Sequence, residues 1–500
     1  MKNDKIYQAD WIAKWAAISP NKICLQEQDS GRTTNYKELN AKAIALVCFL
    51  EKEYNLQESS KIAVLSDYCI EYVALFSAAQ KKAYTLVPLN FRLAAPEISH
   101  ILRETKVDLI VYDSKYKTLL PDFNIYNTLD IADLIKLEND DENCVISSQI
   151  DEDHPLFILY TAGTTGLPKG VLYTHKMLYW NSINTSLALI INSESRTINV
   201  MPPFHTGGWN VLLTPILHYG GFVMLFKKFD PLLVLNTLQN ENITLFMGVP
   251  TMLQMMSEQE KFEIASFPSL LYIIAGGEPM PIPLIEKWAQ VGVAIRQGYG
   301  MTEVGPNLTS LHQSDAIRKK GSIGKTNFYV NARVVDEFGN DVTPNESGEL
   351  WLNGPMVTPG YFKNKEASRL AFSLDGQWFK TGDLVRRDTE GYIFVVDRIK
   401  NMYISGGENV YPAEVERVLI ALTEVEECAV IPVKHEKWGE TGKAIIVLVK
   451  NMQISTEEII QHCSIHLAKY KVPKSIEIID SIPKSDTGKI DRNKLKRLYA

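Results

Sequence analysis

The chain has 500 residues, 45% of them apolar and 22% charged, with a formal net charge of −7. That length is expected to divide into about two to four compact units, and the acidic balance argues against a general nucleic-acid binder, which would carry a basic stripe. The six cysteines (Cys24, Cys48, Cys69, Cys144, Cys428 and Cys463) lie far apart without paired spacing. They read as reduced thiols and suggest no metal knuckle. The amino terminus alternates charge and polarity, and no apolar run approaches the length that spans a bilayer, so a cytoplasmic protein with no membrane span is expected.

Short apolar runs recur at residues 61–65, 108–112, 156–160, 244–247 and 271–275, with amphipathic stretches between them. Runs apolar on both faces and bounded by turn residues suit buried parallel strands, and their alternation predicts β-α repeats. From about residue 328 to 397 the pattern changes. The runs at 332–336, 348–352 and 391–396 are separated by Gly/Asn/Pro turns too short for helices, which predicts a mostly antiparallel β subdomain. Pro412 then starts a helix, Ser455-Thr-Glu-Glu458 forms a capping box for another, and strands are expected at 428–433 and 444–449, making a small α+β unit.

Residues 160–171 form a phosphate loop of unusual type: Tyr-Thr-Ala-Gly-Thr-Thr-Gly-Leu-Pro-Lys-Gly-Val. Gly163 and Gly166 free backbone amides to point into one concavity, Thr161, Thr164 and Thr165 add hydroxyl donors, and Lys169 adds a charge. The common strand-loop-helix nucleotide loop ends in Gly-Lys-Ser/Thr, whereas here Pro168 precedes the lysine and Gly170 follows it.

Further along, Gly276-Gly277-Glu278 and Gln297-Gly298-Tyr299-Gly300-Met-Thr302-Glu303 each follow an apolar run. Ligands of open α/β sheets bind beyond the carboxyl ends of strands, where both glycine turns are expected. The glycines would admit a flat base, with Tyr299 stacking on it, while Thr302 offers a hydroxyl to phosphate and Glu303 a carboxylate to Mg²⁺. Glu303 also reads as an ordinary carboxylate at a helix start. Asp383 is expected on a turn, as a ribose acceptor or a simple turn residue. Arg398 is expected beyond it, in a surface pair with Asp397 in the plainer reading. Lys489, in Pro483-Lys-Ser-Asp-Thr-Gly-Lys489, reads either as a solvated basic loop or as a cation delivered to a transition state.

In this order the motifs resemble the adenylate-forming superfamily of acyl-coenzyme A synthetases, luciferases and peptide-synthetase adenylation domains, over nearly the whole chain. The resemblance implies a large N-terminal domain (1–397) of two doubly wound α/β halves plus a β-barrel-like subdomain. A hinge at 398–400 and a small mobile α+β C-terminal domain (401–500) would follow. It also implies two steps: a carboxylate attacks the α-phosphorus of ATP·Mg²⁺ to give acyl-AMP and pyrophosphate, then the thiol of coenzyme A takes the acyl group and AMP leaves. By the same resemblance residues 161–169 and Thr302 hold phosphates, Glu303 the metal, Asp383 the ribose, Arg398 the ribose or phosphate, and Lys489 the α-phosphate and the substrate carboxylate. Lys400 falls at the hinge, and Ser405-Gly406-Gly407-Glu408 fits the loop lining the coenzyme A tunnel. One position departs from the pattern: Ala162 replaces the usual serine, so weaker ATP binding is expected, by one neutral hydrogen bond of about 0.5–1.5 kcal/mol.

His205, in Pro202-Pro-Phe-His-Thr-Gly-Gly-Trp209, matches a position near the substrate carboxylate, though a histidine after a strand is also often packed structure. Trp209 sits where long-chain synthetases place a gating tryptophan, and equally reads as a core aromatic. With Val249 and Met252 it suggests an acyl pocket, most simply for a medium- or long-chain fatty acid, with aryl acids such as o-succinylbenzoate as the alternative. The stretch lacks the aspartate with which amino-acid adenylation domains hold an amine. The run-in to Arg398 has no room for the hinge insertion of enzymes that load carrier proteins, which favours coenzyme A. A silent nucleotide-binding module is disfavoured by the joint presence of Lys169, Glu303 and Lys489. The small-molecule acid, ATP and coenzyme A are the expected partners; the oligomeric state is open, a homodimer among the options.

Overall fold

The computed structural model describes residues 10–121, 125–137, 150–161, 168–405, 408–436, 438–485 and 488–500. The chain divides into two compact units, one of residues up to 331 with 352–379, the other of residues 332–351 with 380–500.

The first unit is built on two sheets. The apolar runs become the strands Lys61–Leu65, Leu109–Tyr112, Pro155–Thr161, Leu245–Gly248 and Tyr272–Ala275. A six-stranded sheet runs Thr128–Asp130, Leu109–Tyr112, Lys61–Leu65, Thr85–Pro88, Pro155–Thr161, Lys169–Thr174, parallel except for its last pair. In the nine-stranded sheet, Ile295–Tyr299, Tyr272–Ala275, Leu245–Gly248, Arg196–Asn199, Phe222–Leu225 and Ile23–Glu27 form the parallel centre, and antiparallel strands close both ends. Alternate side chains of each strand face opposite sides, and both sides are dry. Val64, Leu159, Val223 and Ile274 enter one core with the buried helix Ile70–Lys82, whereas Ala63 and Ile158 face a second core and Ile273 and Ile295 a third.

A charge cluster ties the amino-terminal hairpin to that helix. Arg32 Nε and Nη2 donate to Glu27 at 2.9 and 2.5 Å, and its Nη1 and Nη2 donate to Glu71 at 3.1 and 2.8 Å. Burial alone would raise the Glu27 carboxyl, but Arg32, Ser30 and the Ile70 amide outweigh it and hold it below its usual value. A depressed carboxyl contributes stability above its unfolded pKa of about 4.3 and loses it as pH falls through the folded value. Arg32→Met is therefore expected to lose about 3 kcal/mol at pH 7, by leaving two buried carboxylates short of a partner. The deficit should shrink below about pH 4.3, which urea unfolding at the two pH values would show.

The second unit holds most of a four-stranded sheet, Asn331–Val335, Ser347–Asn353, Phe379–Arg387, Ile393–Arg398, the form taken by the barrel-like subdomain. It also holds a five-stranded sheet around the hairpin Val425–His435 and Gly439–Leu448. Helix Pro412–Leu419 has proline at its first turn, and Thr456–His466 carries the capping box of Ser455 and Glu458. Cys24, Cys69, Cys428 and Cys463 are free thiols. Cys48 is disulfide-bonded, which corrects the expectation of uniformly reduced cysteines. Among the described residues no helix is long and apolar enough to cross a membrane.

Candidate active site

In the first unit the expected phosphate loop leaves one strand, Pro155–Thr161, and rejoins another, Lys169–Thr174, which pairs antiparallel with it. Thr161 stands opposite Lys169, and its Oγ1 donates to the Lys169 carbonyl at 3.4 Å. Ala162, Gly163, Thr164, Thr165 and Gly166 lie outside the described residues. Gly170 follows the lysine because a Cβ there would fall 2.7 Å from Ile158 Cγ2. The strand Lys169–Thr174 is also joined by residues 358–362. The Leu172 amide donates to Gly360 O at 3.1 Å, the Phe362 amide to Gly170 O at 2.7 Å, and Thr358 Oγ1 to Leu172 O at 2.7 Å.

That same segment reaches Glu303. The Thr358 amide donates to the Glu303 carbonyl at 2.7 Å, and Tyr361 Oη donates to Glu303 Oε1 at 3.0 Å. Lys169 Nζ lies 5.5 Å from the centre of the Tyr361 ring. Glu303 is buried in the 3-10 turn Thr302–Val304, where Thr302 is half-buried. Burial, and then the Glu303 charge, push the Tyr361 phenol well above its ordinary value. Tyr361 carries no motif of its own and escaped the sequence reading. The only signal was its place after Pro359-Gly360, a break in a β-rich stretch.

The second glycine motif is not a turn beyond its strand. Gln297, Gly298 and Tyr299 lie within Ile295–Tyr299, because Gly298 and Tyr299 pair antiparallel with Ser310 and Thr309 and so prolong it. Ala275 faces Gln297, which sets the first glycine turn beside the second motif. A Cβ on Gly276 would meet the Gly298 carbonyl at 3.4 Å. Gly277 has φ +88°, a conformation glycine adopts without strain, and Glu278 follows it half-buried. Gly300 tolerates no side chain, since a Cβ would lie 2.1 Å from the Pro306 carbonyl. Gln297 is buried and its Oε1 has no hydrogen-bond partner among the described residues. An orphaned buried acceptor beside two bare glycine backbones fits a flat ligand that brings its own N–H, such as a purine amine.

His205 precedes the short helix Thr206–Asn210, half-buried against Phe204. The segment is locked: Asn199 Nδ2 donates to Gly208 O at 3.0 Å, and a Cβ on Gly208 would sit 2.3 Å from Pro202 O. Trp209 is fully buried among Tyr68, Tyr72, Phe76 and Phe157, its Nε1 donating to Pro203 O at 2.7 Å. In this structure it is a core aromatic. Val249 and Met252 are half-buried, and Val249 Cγ1 lies 3.7 Å from the Cβ position of Gly277.

In the second unit Asp383 is a strand residue, not a turn residue, because Phe379–Arg387 runs through it and pairs it with Arg398. The two side chains pair directly, Arg398 Nε to Asp383 Oδ1 at 2.5 Å. The surface pair of Arg398 with Asp397 is thereby replaced. Asp397 is buried and accepts instead from the Arg398 amide at 2.6 Å, the Ala413 amide at 2.8 Å and Asn401 Nδ2 at 3.2 Å. Tyr411 cannot cap the helix Pro412–Leu419 with its side chain, and Asp397 does so from across the expected hinge. Asp397→Ala is expected to cost about 2 kcal/mol through the lost cap, measured as a fall in the urea midpoint.

Lys400 lies in the adjoining 3-10 turn Ile399–Asn401. Desolvation, then Arg398 and Lys489, lower its ammonium against the pull of Asp383, so these charged groups share one field. Lys489 is exposed at the base of a small hairpin in which the Ser485 amide donates to Lys489 O at 2.7 Å. The next helix, Arg492–Tyr499, is fastened by Arg492. Its guanidinium makes a two-pronged pair with Glu416 at 2.7 and 2.8 Å and donates to Val430 O at 2.9 Å. Ser405 is fully buried in the strand Tyr403–Ser405 and Glu408 is exposed, while Gly406 and Gly407 lie outside the described residues.

The chain belongs to the family of AMP-binding enzymes, whose model matches residues 12–362, and the C-terminal domain model of the same enzymes matches 414–489. It is an adenylate-forming, acyl-CoA synthetase-like protein of the AMP-forming acid–thiol ligase class, which uses ATP, Mg²⁺ and coenzyme A. A feruloyl-CoA synthase of Amycolatopsis is 34% identical over 98% of both chains. A long-chain-fatty-acid–CoA ligase of Mycobacterium tuberculosis is 32% identical over 97% of both. Among solved structures, the o-succinylbenzoate-CoA synthetase of Bacillus subtilis with its acyl-adenylate superposes with a TM-score of 0.87 at 31% identity, over 97% of this chain and 98% of that one. Among the described residues no group of three or more metal-ligating side chains forms.

Proposed function

We propose that the protein couples an apolar carboxylic acid to coenzyme A through an acyl-AMP, releasing AMP and pyrophosphate. The observation that supports it best is the convergence of Lys169 and Glu303, distant in sequence, on the ring face and the hydroxyl of one tyrosine. In this reading Lys169, Thr161 and Thr302 neutralise and orient the phosphates, with Gly163, Thr164, Thr165 and Gly166 completing the loop. Gln297 and the glycines of 276–277 and 298–300 receive the base under Tyr299, with Glu278 at the rim of the turn. Glu303 would hold Mg²⁺, which supplies charge neutralisation on the polyphosphate. Asp383 accepts from the ribose while Arg398 holds it in place, and Lys489 neutralises the α-phosphate and the incoming carboxylate. Lys400 serves as the hinge of a mobile domain, and Ser405 to Glu408 line the path of the thiol. The reaction is assigned to the cytoplasm.

For the acid, an aryl or arylalkanoic body is the first reading. Trp209 is closed into the core with its N–H spent, so it offers no gate to a long chain, and His205, Val249 and Met252 remain as the walls around Gly277. A medium- or long-chain fatty acid is the second reading, supported by the deformable Met252 and the mycobacterial relative. ATP–pyrophosphate exchange over hydroxycinnamates, benzoates and alkanoates separates the two. Strongest exchange with an alkanoate would replace the first reading by the second, and exchange with no acid would overturn both.

A further inference from the structure

We infer that Tyr361 is a positioning residue that couples the phosphate-loop lysine to the metal-holding carboxylate; this rests on the roles proposed above for Lys169 and Glu303. Two independent contacts meet on one side chain. The hydroxyl donates to Glu303 Oε1 at 3.0 Å, and the ring face lies 5.5 Å from Lys169 Nζ. The hydrogen bond restrains the rotamer of that carboxylate, and a charge-assisted bond of this kind is among the stronger ones. The aromatic face stabilises the ammonium without neutralising it, as an acidic partner would. The lysine is therefore placed to meet an anionic ligand.

The backbone shows why this placement is rigid. Tyr361 is an isolated bridge partner of Val171, and both of its neighbours are pinned to the strand that begins with Lys169, Gly360 through the Leu172 amide and Phe362 through the Gly170 carbonyl. Three residues earlier, Thr358 holds the Glu303 main chain. Residues 358–362 thus fix the distance between two motifs that belong to different sheets. A tyrosine here is a ruler between cation and carboxylate, and its two functions can be removed separately.

Tyr361→Phe deletes the hydroxyl and keeps the ring, whereas Tyr361→Leu deletes both. ATP binding is measured by calorimetry and by the rise in thermal midpoint at a series of Mg²⁺ concentrations, without acid substrate. Tyr361→Phe is expected to raise the Mg²⁺ concentration for half-maximal ATP binding about tenfold, while ATP binding without Mg²⁺ stays near wild type and the midpoint of the ligand-free protein falls modestly, a buried acceptor having lost one donor. Tyr361→Leu should also weaken ATP binding without Mg²⁺, by about three- to fivefold for one partly exposed cation–π contact. In a Glu303→Gln background Tyr361→Phe should no longer shift the Mg²⁺ dependence. An unchanged Mg²⁺ dependence in Tyr361→Phe, or the same shift with Glu303 already replaced, would overturn the inference. If Tyr361→Leu fails to fold, the Phe variant and the double-mutant comparison still decide it. Because these readouts need no acid, they stand apart from the exchange panel: silence of that panel would sink the proposed reaction, and an unmoved Mg²⁺ dependence would sink the coupling.

Discussion

Replacing Lys489 by alanine is expected to lower acyl-AMP formation by about 10²–10³-fold or more, while thioester formation from supplied acyl-AMP stays within a few-fold of wild type. Attack by a carboxylate on a polyphosphate brings two anions together, so removing a cation aimed at the developing charge costs most in that step. The second step breaks a mixed anhydride with a thiol and has no such need. Lys489 is exposed and ends a hairpin held by backbone bonds, so the variant should unfold at the same urea concentration as wild type. Single-turnover assays of each half-reaction measure the split. Equal loss in both would remove Lys489 from the adenylation step.

Arg492→Leu is expected to show the largest loss of stability, about 3–5 kcal/mol in the second unit. It leaves the Glu416 carboxylate largely buried without its two-pronged partner and strips a donor from Val430 O. Desolvation of an unpaired charge, more than the lost attraction, sets that cost. Glu416→Leu combined with Arg492→Leu should recover most of the stability, since an apolar pair removes both charges at once. Activity should not recover in parallel. The helix Arg492–Tyr499 directly follows the Lys489 hairpin, so a loosened first turn spreads the positions of Lys489 and slows acyl-AMP formation more than thioester formation. Urea unfolding of single and double variants, with the two half-reactions beside it, tests both statements. A double variant as unstable as Arg492→Leu would show that packing, not charge, holds this helix.

Much of the candidate site was readable because its chemistry is local. A phosphate loop needs its glycines, hydroxyls and lysine within a dozen residues, and a capping box needs Ser455 and Glu458 three apart. The buried strands declared themselves in the same way, since a strand dry on both faces must be apolar throughout. Strand ends were harder. Ile295–Tyr299 runs through Gly298, and Phe379–Arg387 through Asp383, because partner strands supply hydrogen bonds that outweigh local turn preference.

Sequence alone therefore determined the class of fold and the order of the motifs, and supplied the residues proposed to touch a nucleotide. Tertiary structure decided who partners whom. Arg398 pairs with Asp383 rather than its neighbour Asp397, which turns inward to cap a helix; Trp209 fills a core; and Arg492 clasps Glu416. Tyr361 gains a role only when residues 358–362 are laid against the Lys169 strand. The physical reason is common to all four. Side-chain pairing depends on which groups are desolvated together, and desolvation is a property of the packed chain, not of spacing along it.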